Sequence, residues 1–542
     1  MDEGITNAVS GPGSWLGRFP RTILVFVTLA CLLPFANKAI HIDDPLFVWA
    51  ARHMQAQRWN PYGFEVNWYG SPMPMHEVTK NPPLACGYLA LIISVFGENE
   101  VTLHLAFLIQ AMAAVLGTYA LARRFCSHPF HVALAALFTP VFLVSSTTLM
   151  CDMLMLALWV WAVESWMRGW ERNEPLMLVL AGLLISACAL AKYLGIALVP
   201  LLLAYSLWRS RKLGFWLIYL LIPVLVMGLY EWATRALYGH GLLLDAFRYA
   251  NQNEAHTLGG FLTKTLIAVS FTGGCCALAF IVVPLLWRSI PWVRVGIVAV
   301  ALLVSVWLLD TTRFGITVQF GLCVLSGLIV LTLAVLDWTR HKNAESLLLL
   351  LWVFGTFAFS VLNWTINGRS ILPMVPAVAI LLLRRIETVG EFKPLRFAWF
   401  LGGAAALSLL VARADYQLAN SARAAAAEIK NKFGQTAATT TWFQGHWGFQ
   451  YYAETNGLLA FDSTHPPSHP GDLIVLPFNN TNLVAIPKES VERVTAIELP
   501  ASRWVATMSR SLGAGFYMDI LGPLPFAFGA VPPEKYYVLR LK

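Results

Sequence analysis

Apolar runs long enough to cross a bilayer recur along this chain between residues 20 and 412. A membrane-spanning helix takes about 20 apolar residues, or about 17 to 25 when it is tilted. Only 13% of the 542 residues are charged, against about 25% in a soluble domain. The chain is therefore predicted to be an α-helical polytopic membrane protein. By length we predict about thirteen transmembrane helices, at approximate ranges 20–40, 101–122, 129–149, 150–168, 175–190, 193–208, 214–238, 262–286, 293–310, 316–337, 346–363, 370–385 and 395–412.

Positive charge in the connections indicates the orientation of these spans. With the N-terminus in the cytoplasm, the basic pairs Arg123–Arg124 and Arg384–Arg385 fall on the cytoplasmic side, together with most loop Lys and Arg residues. The opposite connections carry fewer cations, which is the positive-inside distribution. An odd number of spans then leaves the C-terminal part outside. We predict a multi-pass protein of the plasma (inner) membrane with a cytoplasmic N-terminus and an extracytoplasmic C-terminal domain.

Composition divides the chain into two domains. Residues 1–412 form the predicted transmembrane domain, which includes an outer-face loop at 41–100 with surface helices and a flexible polar loop at 239–261. Beyond residue 412 an Ala-rich stretch is followed by short apolar runs that Pro and Gly interrupt. We therefore predict that residues 413–542 form a small soluble α/β or α+β domain, of a size that folds as a unit.

An acidic pair, Asp43–Asp44, directly follows the first apolar run. Adjacent carboxylates at a membrane surface are costly unless they meet water, a cation or a substrate. The structural alternative is a helix N-terminus, since Asp followed by Pro45 is a common helix start. Both can hold, with Asp44 capping the helix and Asp43 facing a functional site.

Other polar residues share the predicted outer face with this pair. They are His76, Glu77, Lys80, Asp152, Lys192, Tyr193, Arg313 and Arg369. A carboxylate can accept a proton from an attacking hydroxyl or amine, and Lys or Arg can stabilise the charge on a departing phosphate. Taken singly, Lys192 can be a snorkelling side chain, Asp152 a partner of a helix dipole and Arg369 an interface anchor. Their shared location is what favours a phosphate-leaving reaction.

Four segments of this set resemble one known family. They are the acidic pair with its surface helix, Asp43–Ala51; the Lys-x-Pro-Pro element, Lys80–Leu84; Cys151-Asp152 with the later Lys192-Tyr193; and Gly368-Arg369 before Pro373. Together they resemble the GT-C membrane glycosyltransferases, specifically the branch of the protein O-mannosyltransferases and the lipid A aminoarabinose transferase (glycosyltransferase families 39 and 83). The likeness spans about residues 20–410.

The sequence departs from the family pattern at three places. Asp44 stands where the family usually has Glu, and Ser370 follows Arg369 where the family has Tyr. The C-terminal domain, 413–542, resembles nothing that we can assign.

The resemblance implies an inverting glycosyltransferase. It would move a sugar from a polyprenyl-phosphate donor to a hydroxyl or amine of a glycan, lipid or protein acceptor at the extracytoplasmic face. The roles that it implies are catalysis for Asp43 and Asp44, donor phosphate binding for Lys80, Lys192 and Arg369, and substrate or acceptor binding for Asp152 and Tyr193. In this reading Asp43 is the general base.

The remaining expectations concern cofactors and alternatives. No spacing in the sequence predicts a metal cage, and a divalent cation is left open because some members of the family use one. The net charge of +8 is spread over short loops, so no nucleic-acid partner is predicted. A lipid or solute transporter or flippase would also explain many spans, but it predicts inverted repeats and charges near mid-membrane. We see no such repeat. A non-catalytic scaffold would leave the acidic pair unexplained.

Overall fold

The computed structural model describes residues 18–251, 258–287, 296, 313–434 and 439–542. Up to residue 433 the described chain is almost entirely helical. Its helices are α1 Pro20–Leu32, α2 Asp44–Ala56, α3 Met75–Val78, α4 Leu84–Phe96, α5 Glu100–Ala122, α6 Pro129–Leu137, α7 Pro140–Ser146, α8 Asp152–Arg172, α9 Pro175–Ala191, α10 Leu198–Ser210, α11 Leu217–Tyr238, α12 Leu242–Ala250, α13 Leu258–Cys275, α14 Leu278–Ile281, α15 Val283–Leu286, α16 Arg313–His341, α17 Ala344–Leu362, α18 Gly368–Ile371, α19 Val375–Val389 and α20 Pro394–Phe433.

Seven helices within the described ranges are long and apolar enough to cross a membrane, counting α10 together with the 3-10 turn Tyr193–Ala197 that precedes it. The bent pair α6–α7 would be an eighth if it is one span. Three shorter apolar helices, Pro20–Phe35, Leu84–Phe96 and Pro175–Ala191, accompany them. The helical membrane fold is thus confirmed. Apart from residue 296, the predicted span 293–310 lies outside the described residues, as does the side chain of Arg313, and the count of thirteen stays a prediction.

The span predicted at 129–149 is not one continuous helix, because the structure has two helices there that meet at 67°. Pro140 lacks an N–H and disfavours helical backbone in the residue before it. Thr139 accordingly adopts an extended conformation and its hydroxyl accepts a hydrogen bond from the amide of Phe142. The second helix is thereby capped as a separate element.

The helix α20 is 40 residues long and runs through the predicted domain boundary at residue 412 without a break. The Ala-rich stretch after residue 412 has high helix propensity, so it continues the preceding apolar helix instead of starting a new one. The helix therefore leads from the transmembrane region into the C-terminal region. The division of the chain at residue 412 stays a prediction.

The C-terminal region contains most of the strands and confirms the predicted strand-containing soluble domain. The strands are β1 Glu65–Asn67, β2 Pro72–Pro74, β3 Thr441–Phe443, β4 Leu459–Ala460, β5 Leu473–Pro477, β6 Val491–Leu499, β7 Val505–Ala506, β8 Met508–Ser509, β9 Ala514–Gly515, β10 Ala527–Phe528 and β11 Glu534–Leu541. Five of them form one mixed sheet in the order β4-β3-β5-β11-β6. In it β3 is parallel to β4 and β5, whereas β11 is antiparallel to β5 and β6.

This domain packs against the segment between α1 and α2, which contains the acidic pair. The helix α21, Trp447–Thr455, lies between the sheet and the end of the first apolar segment. The amide of Ile40 donates to the Tyr452 hydroxyl at 2.7 Å, and Gln450 Nε2 donates to the carbonyl of Asn67 at 2.9 Å. The C-terminal domain therefore sits at the same end of the helical bundle as Asp43.

Glu534 makes the stability of this domain depend on pH. Burial raises the pKa of Glu534 to about 7, although Asn479 donates to its carboxylate. An acid whose folded-state pKa is raised contributes stability that is complete below its unfolded pKa and lost as the pH rises through the folded value. We expect the wild-type unfolding temperature to fall between about pH 4.5 and about pH 7, and to fall less in Glu534→Gln, which keeps the acceptor. Thermal unfolding in detergent measures this.

The control is Glu498→Gln, at an exposed ion pair with Lys535, which should behave as wild type. An identical dependence of unfolding temperature on pH in all three proteins would contradict the assignment to Glu534.

Candidate active site

The two acids that open α2 have different environments. Asp44 is fully buried, and its carboxylate oxygens accept hydrogen bonds from the amides of His41 at 2.9 Å and Leu149 at 2.8 Å. Burial raises the pKa of Asp44 to about 7. Asp44 thus ties the start of α2 to the segment before α8. Asp43, the N-cap position of α2, is half-buried and directs its carboxylate to Arg369.

Arg369 lies between two carboxylates. Its Nη2 is 3.0 Å from Asp43 Oδ2, and its Nη1 is 3.9 Å from Asp152 Oδ2. The guanidinium is carried by α18, a single turn in which the amide of Ser370 donates to the side-chain oxygen of Asn367 at 2.9 Å. Arg369 Nε is buried and has no hydrogen-bond partner among the described residues. The guanidinium therefore keeps one donor for a further acceptor.

Lys192 completes this arrangement from another part of the chain. Its backbone is extended (φ −152°, ψ 132°) and interrupts the apolar helices on either side. Lys192 Nζ donates to Asp152 Oδ1 at 2.6 Å, and the Asp152 side chain is only 1% exposed. Asp152 also starts α8, so it meets the positive end of the helix dipole as well as two cations.

We call Asp43, Arg369, Asp152 and Lys192 the charged cluster. Its members come from four segments far apart in sequence, and the structure brings all four into one chain of ion pairs. Two carboxylates and two cations balance in charge. Such a set can hold an anion near a carboxylate that remains available as a proton acceptor.

Lys80 lies beside the cluster rather than in it. Its Nζ pairs with Asp245 Oδ2 at 2.6 Å and lies 5.5 Å from the centre of the Tyr249 ring. The following residue, Asn81, accepts a weak hydrogen bond from the thiol of Cys151, next to Asp152, at 3.6 Å. The Lys-x-Pro-Pro element thus adjoins the charged cluster without an ion pair to it.

A cavity of about 410 Å³ opens at Lys80. Charged side chains of both signs line it, namely Glu77, Lys80, Glu231, Arg235, Asp245 and Arg248. Part of the segment predicted as a flexible loop, 239–261, is the helix α12 on one side of this cavity. That prediction is wrong there because the leucines 242–244 have high helix propensity and Leu242 is buried against the protein. Tyr193 directly follows Lys192, and its hydroxyl lies 3.0 Å from that of Tyr230.

The residues of the cluster do not suit a divalent cation. Asp43 and Asp152 both face Arg369, so a guanidinium occupies the position that a metal ion between two carboxylates would take. Nowhere in the described part of the chain do three His, Cys, Asp or Glu side chains come together as metal ligands.

Comparison with known proteins supports the fold assignment independently of the site geometry. Residues 80–232 match the family model of dolichyl-phosphate-mannose-protein mannosyltransferases, which is less than half of the chain. The Archaeoglobus fulgidus oligosaccharyltransferase tethered to an acceptor peptide superposes with a TM-score of 0.50 at 12% identity, over 83% of this chain and 64% of that one. AglB, an oligosaccharyltransferase of the same archaeon, in complex with an inhibitory peptide and a dolichol-phosphate gives a TM-score of 0.50 at 13% identity, over 83% of this chain and 65% of that one. The chain has the GT-C glycosyltransferase fold.

A further similarity is to ArnT from Cupriavidus metallidurans bound to undecaprenyl phosphate, with a TM-score of 0.43 at 14% identity, over 86% of this chain and 94% of that one. No curated protein sequence matches the chain. The chain spans a little less than two thirds of either archaeal chain. The sequence-based resemblance to GT-C proteins is thus confirmed, and the family match contains Lys80, Asp152, Lys192 and Tyr193 but neither Asp43 nor Arg369.

Three residues near the cluster were missed by the sequence analysis. Lys38 and Asp415 form a fully buried ion pair at 2.6 Å, and Tyr517 donates its hydroxyl to Asp415 at 2.8 Å. A lysine at the end of an apolar span is a signal of function or pairing in itself, and Lys38 could have been selected on it. Tyr517 gave no signal, because nothing in the sequence places the C-terminal domain against the first span.

Proposed function

We propose that this chain is an inverting glycosyltransferase that moves a sugar from a polyprenyl-phosphate donor to a hydroxyl or amine acceptor. The observation that carries the proposal is the charged cluster, in which Asp43 shares Arg369 with the Asp152–Lys192 pair. A proton acceptor and two phosphate-binding cations then lie within one site of a GT-C fold.

The reaction exchanges one anion for another beside Arg369. The acceptor oxygen or nitrogen attacks the anomeric carbon while its proton passes to Asp43. The bond from that carbon to the phosphate oxygen breaks, and both electrons leave with the polyprenyl phosphate. Negative charge disappears at Asp43 as it appears on the phosphate. Arg369, 3.0 Å from Asp43, is then free to pair with the leaving group, which stabilises the transition state.

Phosphate binding is assigned to Lys80, Lys192 and Arg369. The unpartnered Nε of Arg369 supplies a donor without breaking an existing hydrogen bond, and Lys80 lies at the opening of the adjoining cavity. A lipid-linked phosphate is supported by the matched family, whose name specifies a dolichyl-phosphate donor, and by the archaeal AglB, which binds a dolichol-phosphate.

The remaining residues have supporting roles in this proposal. Asp152 fixes the two cations, and Asp44 positions Asp43 by holding the start of α2. Tyr193 is assigned to acceptor binding. The positive-inside distribution supports an extracytoplasmic site in the plasma membrane. The acceptor is a glycan, a lipid or a protein, and the archaeal enzyme, which was tethered to a peptide, makes a peptide the first to try.

The test uses the full-length protein in proteoliposomes with a polyprenyl-phosphate donor carrying a radiolabelled sugar. We expect label in a covalent product and an equal amount of polyprenyl phosphate released. A transporter or flippase would instead move the donor across the bilayer without a covalent product. Movement without transfer, across a panel of lipid, glycan and peptide acceptors, would overturn the proposal.

A further inference from the structure

A segment of the C-terminal domain returns to the helical bundle beside the charged cluster. We call residues 505–528 the strap. The amide of Gly368 donates to the carbonyl of Phe516 at 2.7 Å, and the amide of Asp519 donates to the carbonyl of Ile366 at 3.0 Å. The Asp519 carboxylate accepts from the amide of Ile366 at 3.1 Å. The strap is therefore bonded to the turn that carries Arg369.

The contact between the strap and this turn is close. A Cβ atom built on Gly368 would lie 2.7 Å from the Phe516 ring, so a residue with a side chain would push the two segments apart. Gly368 immediately precedes Arg369, and Phe516 immediately precedes Tyr517. The close backbone approach thus brings Arg369 and Tyr517 together.

The ring of Tyr517 contacts the guanidinium of Arg369. The Arg369 Cζ atom lies 5.6 Å from the centre of the Tyr517 ring, within the range of a cation–π interaction. Tyr517 itself is buried. The ion pair of Arg369 with Asp43 uses one end of the guanidinium, and the longer contact with Asp152 restrains the other only weakly. The ring supplies a third restraint on the plane.

Tyr517 is in turn held by a buried polar network. Its hydroxyl donates to Asp415 Oδ2 at 2.8 Å, and the hydroxyl of Thr507, also in the strap, donates to Asp415 Oδ1 at 2.9 Å. Asp415 accepts from Lys38 Nζ at 2.6 Å, and both side chains are 0% exposed. The end of the first span, α20 and the strap therefore meet at one carboxylate.

We infer that Tyr517 is a positioning residue of the active site, and that the C-terminal domain completes this site through the strap. The ring of Tyr517 keeps the guanidinium of Arg369 aimed at Asp43 and at the phosphate position. The inference rests on the proposed transferase function. It gives the C-terminal domain a role in the reaction, since the aromatic ring that contacts Arg369 comes from this domain.

Two substitutions of similar size separate the ring from the rest of the side chain. Tyr517→Phe and Tyr517→Leu both remove the hydroxyl, but only Phe keeps an aromatic face. We expect Tyr517→Leu to lower kcat/KM for the donor about tenfold relative to Tyr517→Phe. KM for the acceptor should be the same in the two variants, whereas the unfolding temperature of Tyr517→Leu should be lower, because leucine fills less of the buried site than phenylalanine. Steady-state rates of polyprenyl phosphate release, with donor and acceptor varied in turn, measure this.

Tyr537 provides the matched control. It lies in β11 of the same domain, and Arg493 stacks on its ring at 4.9 Å. Tyr537→Phe and Tyr537→Leu should have equal donor kcat/KM, because this cation–π pair is remote from the cluster. Equal donor kcat/KM for the two Tyr517 variants, measured beside an active wild type, would overturn the inference about Tyr517. The proposed transferase function would not be affected by that result. A wild type that releases no polyprenyl phosphate would instead refute the proposed function.

Discussion

An Asp43→Asn variant should fold normally and lose sugar transfer, with kcat lowered by about 10²- to 10⁴-fold, the usual contribution of a general base. Asparagine is nearly isosteric, and its amide oxygen can still accept the hydrogen bond from Arg369 Nη2 that Asp43 accepts at 3.0 Å. It has no basic oxygen that could take the acceptor proton. The change therefore removes the proton acceptor and leaves the neighbouring geometry in place. The rate of polyprenyl phosphate release in proteoliposomes, with unfolding temperature measured in parallel, tests it.

The chain offers a matched control at a different site. Asp337 pairs with Arg384 at 2.9 Å, so Asp337→Asn removes the charge of a similar Asp–Arg pair without touching the cluster. We expect the Asp337→Asn variant to keep a transfer rate within about twofold of wild type, because its effect should be confined to stability, as for most single changes. The loss in Asp43→Asn would then come from the missing proton acceptor. An Asp43→Asn protein with wild-type kcat would refute the base assignment. An equal loss in both variants would attribute the effect to stability.

The sequence predicted the parts of this molecule that depend on strong local patterns. Apolar length predicted the helical membrane fold, and the composition change predicted a strand-containing domain near the C-terminus. The residues of the charged cluster were selected because positive-inside orientation puts their segments on one face. Which residues pair within that face depends on packing between helices, and the pairing of Lys80 with Asp245 instead of a cluster member illustrates this.

Two features of the structure could not be predicted from local sequence patterns, for physical reasons. The helix pair α6–α7 has enough apolar length for one span, and a single proline decides that it bends. The strap contact depends on a long return of the chain, since Tyr517 and Arg369 are 148 residues apart in sequence. Contacts of this kind are set by the tertiary fold, and no spacing in the sequence encodes them.

The second large effect is expected for Arg369→Lys, with kcat lowered about 100-fold, the scale of losing one preorganised donor to a developing anion. Lysine keeps the charge but presents a compact ammonium instead of a planar fork. It therefore cannot hold Asp43, approach Asp152 and offer a free donor to phosphate at the same time. The donor KM should rise as well, while the acceptor KM stays unchanged. Steady-state kinetics with each substrate varied separately measures the three constants.

Arg384→Lys is the control for this change, because Arg384 is similarly half-buried and pairs with a single carboxylate at 2.9 Å. A point charge satisfies one carboxylate nearly as well as a guanidinium does, so kcat should stay close to wild type in that variant. If Arg369→Lys also kept wild-type kcat, the cluster would need only a positive charge at this position. The planar geometry of Arg369 would then be irrelevant to the reaction, and the mechanism that transfers it from Asp43 to the phosphate would be wrong.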